Sequence, residues 1–231
     1  MSAALHALPA GLVWTGEQFS RPAEAGLATG FAALDAQLPG GGWPRGSITE
    51  LLSDTPGLGE IELLLPLLAR AIAPALNLWV APPWLPYAPA LTARGADLER
   101  MLVIRPATRA ATLWATRQAL ASTACHAVLA WLERPDMAAL RRLQLAAEDS
   151  GTPLFLFRPV SAARQPSPAS LRLQLSAAAQ GLRVNILKRR GPAAAAPILL
   201  PREHSWKSPQ DAVDRPHLPR PAAAGAHARR V

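Results

Sequence analysis

A glycine-containing loop behind a short apolar run is the part of the chain best suited to bind phosphate. The run is Ile48–Leu52, and residues 53–62 of the loop read Ser-Asp-Thr-Pro-Gly-Leu-Gly-Glu-Ile-Glu. A working phosphate loop follows the pattern G-x-x-x-x-G-K-[ST], in which backbone N–H groups hold phosphate, lysine neutralises its charge and the hydroxyl binds magnesium. Gly59 stands at the place of the last loop glycine.

The residues around Gly59 do not suit nucleotide hydrolysis. Glu60 stands where lysine is required and Ile61 where the hydroxyl is required. A carboxylate beside a triphosphate replaces an attraction with a repulsion. Pro56 also lacks an N–H group and so removes one donor. We therefore predict a degenerate phosphate loop that binds no nucleotide or other cofactor, formed by Ser53, Gly57, Gly59, Glu60 and Ile61.

Short apolar runs alternate with helical patterns over the first two thirds of the chain. We predict strands at residues 48–52, 78–81, 102–104, 127–132 and 154–157, and helices at 60–76, 110–122 and 136–148. In the last helix, Leu140, Leu143 and Leu145 are expected to share an apolar side with Met137. This alternation predicts an α/β fold whose mostly parallel sheet is covered by helices on both faces.

The sequence after residue 159 has a different character. Residues 171–175 and 182–187 alternate at period two around Ala-Ala-Ala-Gln-Gly, which predicts an antiparallel hairpin at a sheet edge. From residue 201 the chain is rich in Pro, Ala, His and Arg and poor in large apolar residues, which predicts disorder. We therefore expect an N-terminal segment (1–25), one domain (26–200) and a basic tail (201–231).

Composition limits the classes of function. The chain has 231 residues, a formal net charge of +8 and a single cysteine, Cys125. One thiol makes no internal disulfide or cysteine-rich zinc site, and the five histidines show no ligand spacing. No signal peptide or membrane span is recognised, which predicts a cytoplasmic protein. The basic charge suits a nucleic acid or an acidic partner, although surplus arginine can also be merely solvated.

The glycine loop belongs to a longer pattern that resembles the ATPase core of the RecA family. The pattern is Thr29-Gly30, Leu34-Asp35, the glycine-rich stretch Gly-Gly-Gly-Trp-Pro-Arg-Gly at 40–46, and Glu50. The similarity extends over roughly residues 26–192. It implies a RecA-like, P-loop-NTPase-type core with a degenerate phosphate loop.

This resemblance implies further losses of catalytic groups. Pro83 matches the glutamate that activates water, and Ala130 or Trp131 matches the aspartate that orients magnesium. Arg158-Pro159 matches the polar sensor. Losses at four separated places imply that the chain is not an enzyme.

A second resemblance is to the ImuA group, which is related to the SulA division inhibitors. It is carried by LAWLERPD, LRRLQLAAEDSGTPLFLFRP, SPASLRL and LKRRGP. It implies a non-catalytic accessory protein of SOS-induced, error-prone translesion DNA synthesis, associated with the nucleoid during DNA damage. The implied partners are an inactive Y-family polymerase homologue of the ImuB type, an error-prone replicative-type polymerase and the RecA recombinase, with DNA contacted directly or through these partners. The alternatives are a SulA-like division inhibitor and a nucleotide-independent single-stranded DNA-binding protein.

Basic and aromatic residues are the candidates for contact with a partner or a phosphate. We expect Lys188, Arg189 and Arg190 to end the hairpin as an exposed basic turn, unless they form only a solvated turn. Four further arginines, at positions 141, 142, 158 and 164, are candidates for the carboxyl edge of the sheet or for an ordinary exposed face.

The tryptophans divide into core and surface candidates. We assign Trp79 and Trp131 to the core, and Trp84, which follows two prolines, to the surface as a partner contact. Trp14, in an N-terminal apolar patch, could anchor a partner or dock on its own domain.

Overall fold

The computed structural model describes residues 25–191 and 196–201, and contains one eight-stranded mixed sheet. Its strands are β1 (Ile48–Leu52), β2 (Leu76–Val80), β3 (Met101–Ile104), β4 (Cys125–Trp131), β5 (Leu154–Arg158), β6 (Leu171–Ala178), β7 (Gly181–Lys188) and β8 (Ile198–Pro201). The helices are α1 (Ala32–Asp35), α2 (Leu65–Leu68), α3 (Ala88–Ala93), α4 (Arg109–Ala121) and α5 (Met137–Ser150). No helix within the described ranges is long and apolar enough to cross a membrane.

Six strands form the parallel part of the sheet, and two antiparallel strands extend it. The order across the sheet is β3-β2-β4-β5-β1-β6-β7-β8, with every pairing up to β6 parallel. β6 and β7 form the antiparallel hairpin expected from the sequence, and β8 adds to β7. All five residues of β1 are buried, as expected for a strand at the centre of a sheet covered on both faces.

Helices cover both faces, and each face has its own apolar core. Along β4 and β5, alternate residues enter different cores: Leu129 and Phe155 join one, while Val128 and Leu154 join the other. The first core includes α1, α2 and α3, and the second includes α4 and α5. This strict alternation is the period of two that strands impose. The mixed α/β architecture with a mostly parallel sheet is therefore as predicted.

The two long helices begin at side-chain caps. Thr108 Oγ1 accepts from the Ala111 N–H at 3.1 Å, and an Asp136 carboxylate oxygen accepts from the Ala139 N–H at 2.6 Å. Each side chain thereby satisfies a donor that has no partner within its helix. On α5 the prediction for Leu145 was wrong: Leu140 and Leu143 are buried, but Leu145 is 58% exposed. Position 145 lies outside the spacing of 140, 143 and 147 that faces the sheet.

The long helix predicted at residues 60–76 is largely absent. The backbone winds in turns from Gly59, but the regular helix is only α2, Leu65–Leu68. Pro66 has no N–H to continue a helix through this segment, and Pro74 stops any continuation. Side chains bind the last carbonyls instead: Asn77 Nδ2 donates to Leu68 O at 2.8 Å, and His126 Nε2 lies 3.1 Å from Leu67 O.

The glycine-rich segment at residues 40–46 packs closely against residue 27. Leu27 and Trp43 exchange two backbone hydrogen bonds, and the Trp43 side chain is fully buried with an edge contact to Phe155 at 5.3 Å. A Cβ atom on Gly42 would come within 2.2 Å of the Leu27 carbonyl oxygen, so only glycine fits there. This bridge fixes the segment that carries Pro44 and Arg45 into β1.

Several sequence-based predictions fall outside the described residues. These are the apolar patch with Trp14, the disordered tail and the histidines at 6, 204, 217 and 227. The described residues lie in a unit of the chain that ends at Pro201. The division at residues 25 and 200 stays a prediction.

Candidate functional site

Loops from four parallel strands surround one open cavity of about 530 Å³ at the carboxyl edge of the sheet. They follow β1, β2, β4 and β5, and they bring together residues far apart in the sequence. Of the positions singled out from the sequence, the cavity is lined by Ser53, Pro56, Glu60, Pro83, Trp131, Arg158 and Pro159. A crevice at this edge is where open parallel sheets generally bind ligands.

Glu60 is bound to the backbone of its own loop. Its two carboxylate oxygens accept from the N–H groups of Gly57 at 2.9 Å and Gly59 at 3.1 Å. Both glycines have positive φ, 82° and 106°, a conformation that glycine adopts without strain. The carboxylate therefore occupies two backbone donors of the loop.

Other contacts fix the start of the same loop. Ser53 Oγ donates to the Thr55 carbonyl at 2.8 Å, and Asp54 Oδ1 accepts from the Val160 N–H at 2.8 Å. Ile61 packs half-buried against the apolar core and has no hydroxyl to offer a metal ion. The start of the loop is thereby tied to itself and to the segment after β5.

The cavity has an aromatic wall and mixed charge. Trp131 stacks on Phe157 with ring centroids 4.3 Å apart and planes 5° from parallel, and Trp79 lies 5.8 Å from Trp131. Trp79 is buried as predicted, whereas Trp131 is half-buried because one side faces the cavity. The other charged lining residues are Asp54, Glu133 and Arg134.

A buried ionic network lies beside this cavity, and the sequence did not indicate it. The Glu50 carboxylate, 0% exposed, accepts from Arg158 at 2.8 Å and from Arg172 at 2.7 Å. Ser167 Oγ donates to the same carboxylate at 2.7 Å. The three charged residues sit in neighbouring strands β1, β5 and β6, so the network joins the centre of the sheet.

The network also fixes the segment that connects β5 to β6. Arg172 donates to the backbone carbonyls of Ala162 and Gln165, and Arg158 donates to the Gln165 side chain. Arg158 lines the cavity at the carboxyl edge, as the sequence suggested, but its guanidinium is bound to Glu50 and the residue is only 3% exposed. The sequence signal for this network was one charged residue in each of three mostly apolar strands, namely Glu50 in β1, Arg158 in β5 and Arg172 in β6.

The surface candidates are exposed but do not converge on the cavity. Trp84 is 73% exposed and continues the loop after β2, next to the exposed Leu85 and Tyr87. Trp114 on α4 is 65% exposed. Arg141 and Arg142 are exposed on α5, and neither is among the described residues that line the cavity.

Lys188, Arg189 and Arg190 lie at the opposite edge from the glycine loop. β7 is antiparallel to β6, and β6 is parallel to β1, so the end of β7 reaches the amino edge of the sheet. The β6–β7 turn lies at residues 179–180, within the Ala-Ala-Ala-Gln-Gly stretch predicted from the sequence, and the three basic residues follow at the end of the hairpin, where Lys188 and Arg190 are exposed and Arg189 is half-buried. Lys188 Nζ donates to the Ser167 carbonyl at 2.9 Å, and an Arg189 guanidinium nitrogen donates to the Gln37 carbonyl.

The single cysteine and the described histidine are not arranged for catalysis or metal binding. Burial raises the pKa of the Cys125 thiol, which disfavours the reactive thiolate. Burial also lowers the pKa of His126; the hydrogen bond to Leu67 raises it and the charge of Arg45 lowers it. Within residues 25–191 and 196–201 no three His, Cys, Asp or Glu side chains are grouped to hold a metal.

Comparison with known proteins gives sequence relatives that carry the ImuA name. No protein-family model matches the chain. The chain is 33% identical over 132 residues to Protein ImuA of Caulobacter vibrioides, in strains NA1000 / CB15N and ATCC 19089 / CIP 103742 / CB 15. The match covers 54% of this chain and 54% of each relative, so the chain spans about half the length of the curated relatives it matches. It confirms the resemblance to the ImuA group on which the sequence motifs converged.

A solved structure of SulA from Pseudomonas aeruginosa also matches. It is 29% identical, with a TM-score of 0.40, and the match covers 48% of this chain and 97% of that chain.

Proposed function

We propose that this homologue of Protein ImuA is a non-catalytic accessory protein of the DNA-damage response. It would act in SOS-induced, error-prone translesion synthesis and bridge a polymerase-like partner of the ImuB type and an error-prone replicative-type polymerase, with the RecA recombinase as a further partner. The similarity to the two Caulobacter proteins supports this role. DNA would be reached directly or through the partners.

The observation that carries the non-catalytic part is the position of Glu60. We infer a RecA-like core whose phosphate loop is closed by its own carboxylate, since Glu60 occupies the N–H groups of Gly57 and Gly59. An incoming triphosphate would have to displace that carboxylate and would meet its negative charge. Pro83 and Trp131, which line the same cavity, offer no acid or base for hydrolysis.

The partner contacts follow from the exposed residues of the domain. Trp84 is the proposed anchor at the carboxyl edge. It is exposed in this chain, and tryptophans that become buried on binding commonly dominate the energy of protein interfaces. Arg141 and Arg142 on α5 are proposed as peripheral charged contacts, which act mainly on association rate. Lys188, Arg189 and Arg190 are proposed to contact a partner or a phosphate at the amino edge.

A genetic experiment tests the accessory role. Deleting the gene should reduce DNA-damage-induced mutation frequency and leave spontaneous mutation nearly unchanged, and the wild-type gene should restore it. The tagged protein should co-purify with the polymerase-like partner from damaged cells. Unchanged induced mutagenesis in the deletion strain would contradict the proposal, as would filamentous growth on overexpression with no effect on mutagenesis.

A further inference from the structure

We propose that the amino edge of the sheet carries a binding site for the phosphate backbone of a nucleic acid. A cavity of about 70 Å³ opens there, lined by the three guanidinium side chains Arg45, Arg189 and Arg190 together with Ser170. The rest of the lining is Leu38, Pro39, Gly42, Pro44 and Leu171. This inference deepens the proposed contact of the basic residues at the amino edge and rests on that part of the proposed function, but it does not depend on the glycine loop at the other edge.

The three arginines reach the cavity from segments that the fold holds in place. Arg45 follows the bridge between Leu27 and Trp43, and the next residue, Gly46, donates its N–H to the Gly151 carbonyl at 3.1 Å. Arg189 follows β7 and is tied to the Gln37 carbonyl. The basic cluster is therefore built by tertiary structure, since Arg45 lies far from the other two arginines in the sequence.

The charge around the cavity favours an anion. Every charged side chain among its described lining residues is an arginine. Guanidinium groups gathered at one cavity repel each other, and a bound anion turns that repulsion into attraction. Burial is the main cause of the lowered pKa of His126, and the charge of Arg45 also lowers it.

The arginine lining and the overall charge favour phosphate of a nucleic acid over an acidic protein. Guanidinium forks bind phosphate oxygens through paired, charge-assisted hydrogen bonds. The net charge of +8 attracts a polyanion from a distance, as is typical of proteins that bind nucleic acid.

Fluorescence anisotropy with a labelled oligothymidylate tests the site on the full chain. The variant Arg45→Ala/Arg190→Ala removes two exposed arginines and leaves the Arg189 hydrogen bond with Gln37 intact. We expect its affinity to fall by about tenfold, and the slope of log K against log salt to become shallower by about 0.7 for each phosphate that the variant no longer neutralises. Inorganic phosphate should compete with the oligonucleotide for the wild-type protein.

The matched control is Arg117→Ala/Arg183→Ala. It makes the same change in net charge at two exposed arginines, on α4 and β7, that do not line the cavity. Its affinity should change less than about twofold, because isolated surface charges are screened by salt. The variant Arg45→Lys/Arg190→Lys keeps the charge but loses the paired guanidinium donors. Its affinity for the oligonucleotide should lie between that of the wild type and that of the alanine variant. Thermal melting of each variant separates lost binding from lost folding.

Three results would overturn the site. The first is wild-type protein that does not bind the oligonucleotide. The second is an equal loss of affinity in the test and control variants, because net charge alone would then explain the loss. Polyglutamate binding that depends on Arg45 and Arg190, while oligothymidylate binding does not, would assign the cavity to an acidic protein. None of these results bears on the accessory role, which the deletion experiment tests separately.

Discussion

The two edges of the parallel sheet differ in the charge that lies beside their potential anion-binding groups. At the carboxyl edge, the N–H groups of Gly57 and Gly59 are occupied by the carboxylate of Glu60. At the amino edge, Arg45, Arg189 and Arg190 line a cavity that contains no carboxylate among its described residues. The same domain thus places a carboxylate against the N–H groups at one edge and gathers positive charge at the other.

This difference teaches that backbone geometry alone does not decide what an edge of the sheet binds. The loop at the carboxyl edge follows the buried strand β1 and contains glycines at positive φ, but the charge beside its N–H groups is negative. A carboxylate at hydrogen-bonding distance from those groups repels an incoming anion.

The largest effect should come from the network that joins the strands between the two edges. Glu50→Gln removes the only carboxylate bound by Arg158 and Arg172 among the described residues. Removing one partner from a buried ionic group should lower the free energy of unfolding by about 3–5 kcal/mol. Urea denaturation measures it, with the exposed Glu133→Gln as the control. A loss below about 1 kcal/mol would show that the network contributes little to stability.

The next effect concerns the partner surface at the carboxyl edge. Trp84→Ala should weaken binding of the polymerase-like partner by about 2 kcal/mol, the scale of an interface anchor, without changing the melting temperature. Trp114→Ala is a close match, because the two side chains are 73% and 65% exposed. The Trp114→Ala variant should bind the partner normally, since Trp114 lies on α4 and not in the loop that follows β2. Equal losses for both variants, measured by calorimetry with the purified partner, would remove Trp84 as a specific contact.

A moderate effect is expected from opening the glycine loop. Glu60→Ala frees the N–H groups of Gly57 and Gly59, so affinity for pyrophosphate should rise by about tenfold over the wild type. Glu133→Ala removes an equal charge from the same cavity without freeing a backbone donor. A titration that gives the same gain for both variants would attribute the effect to cavity charge and not to the loop.

The smallest effect is electrostatic and lies at the amino edge. His126 should titrate with a pKa below that of an exposed histidine, chiefly because it is half-buried. Its neutral form is thus favoured in the folded protein, so acidification from neutral pH through the ordinary histidine range should reduce stability. Arg45→Ala should raise the His126 pKa in an NMR titration, with His126→Gln to assign the signal. An unchanged or lower pKa would contradict a positive potential at this edge.

Sequence patterns were sufficient for the parallel sheet and for the hairpin. The strands are short apolar runs, and their burial on both faces leaves little alternative to a covered sheet. The prediction of a helix at residues 60–76 was wrong because it gave more weight to the apolar content of the segment than to Pro66 and Pro74, which remove backbone donors. The prediction that Leu145 shares the apolar side of α5 was wrong for a related reason, since apolar character alone does not determine which side of a helix a residue occupies.

The candidate site was predictable only in part. The unusual Glu60 is visible in the sequence, but its contact with Gly57 and Gly59 depends on the fold of the loop. The Glu50 network joins residues more than a hundred positions apart, as does the cavity shared by Arg45 and Arg190. Contacts of this kind arise from the order of strands in the sheet, which local periodicity does not specify.

We propose that the glycine loop binds no nucleotide, and calorimetric titration of the full chain with ATP and magnesium tests this most directly. We expect no heat of binding at high micromolar protein, because Glu60 already fills the N–H groups that a phosphate would need. A saturable isotherm with a micromolar dissociation constant, abolished by substitutions in the glycine loop, would contradict the claim.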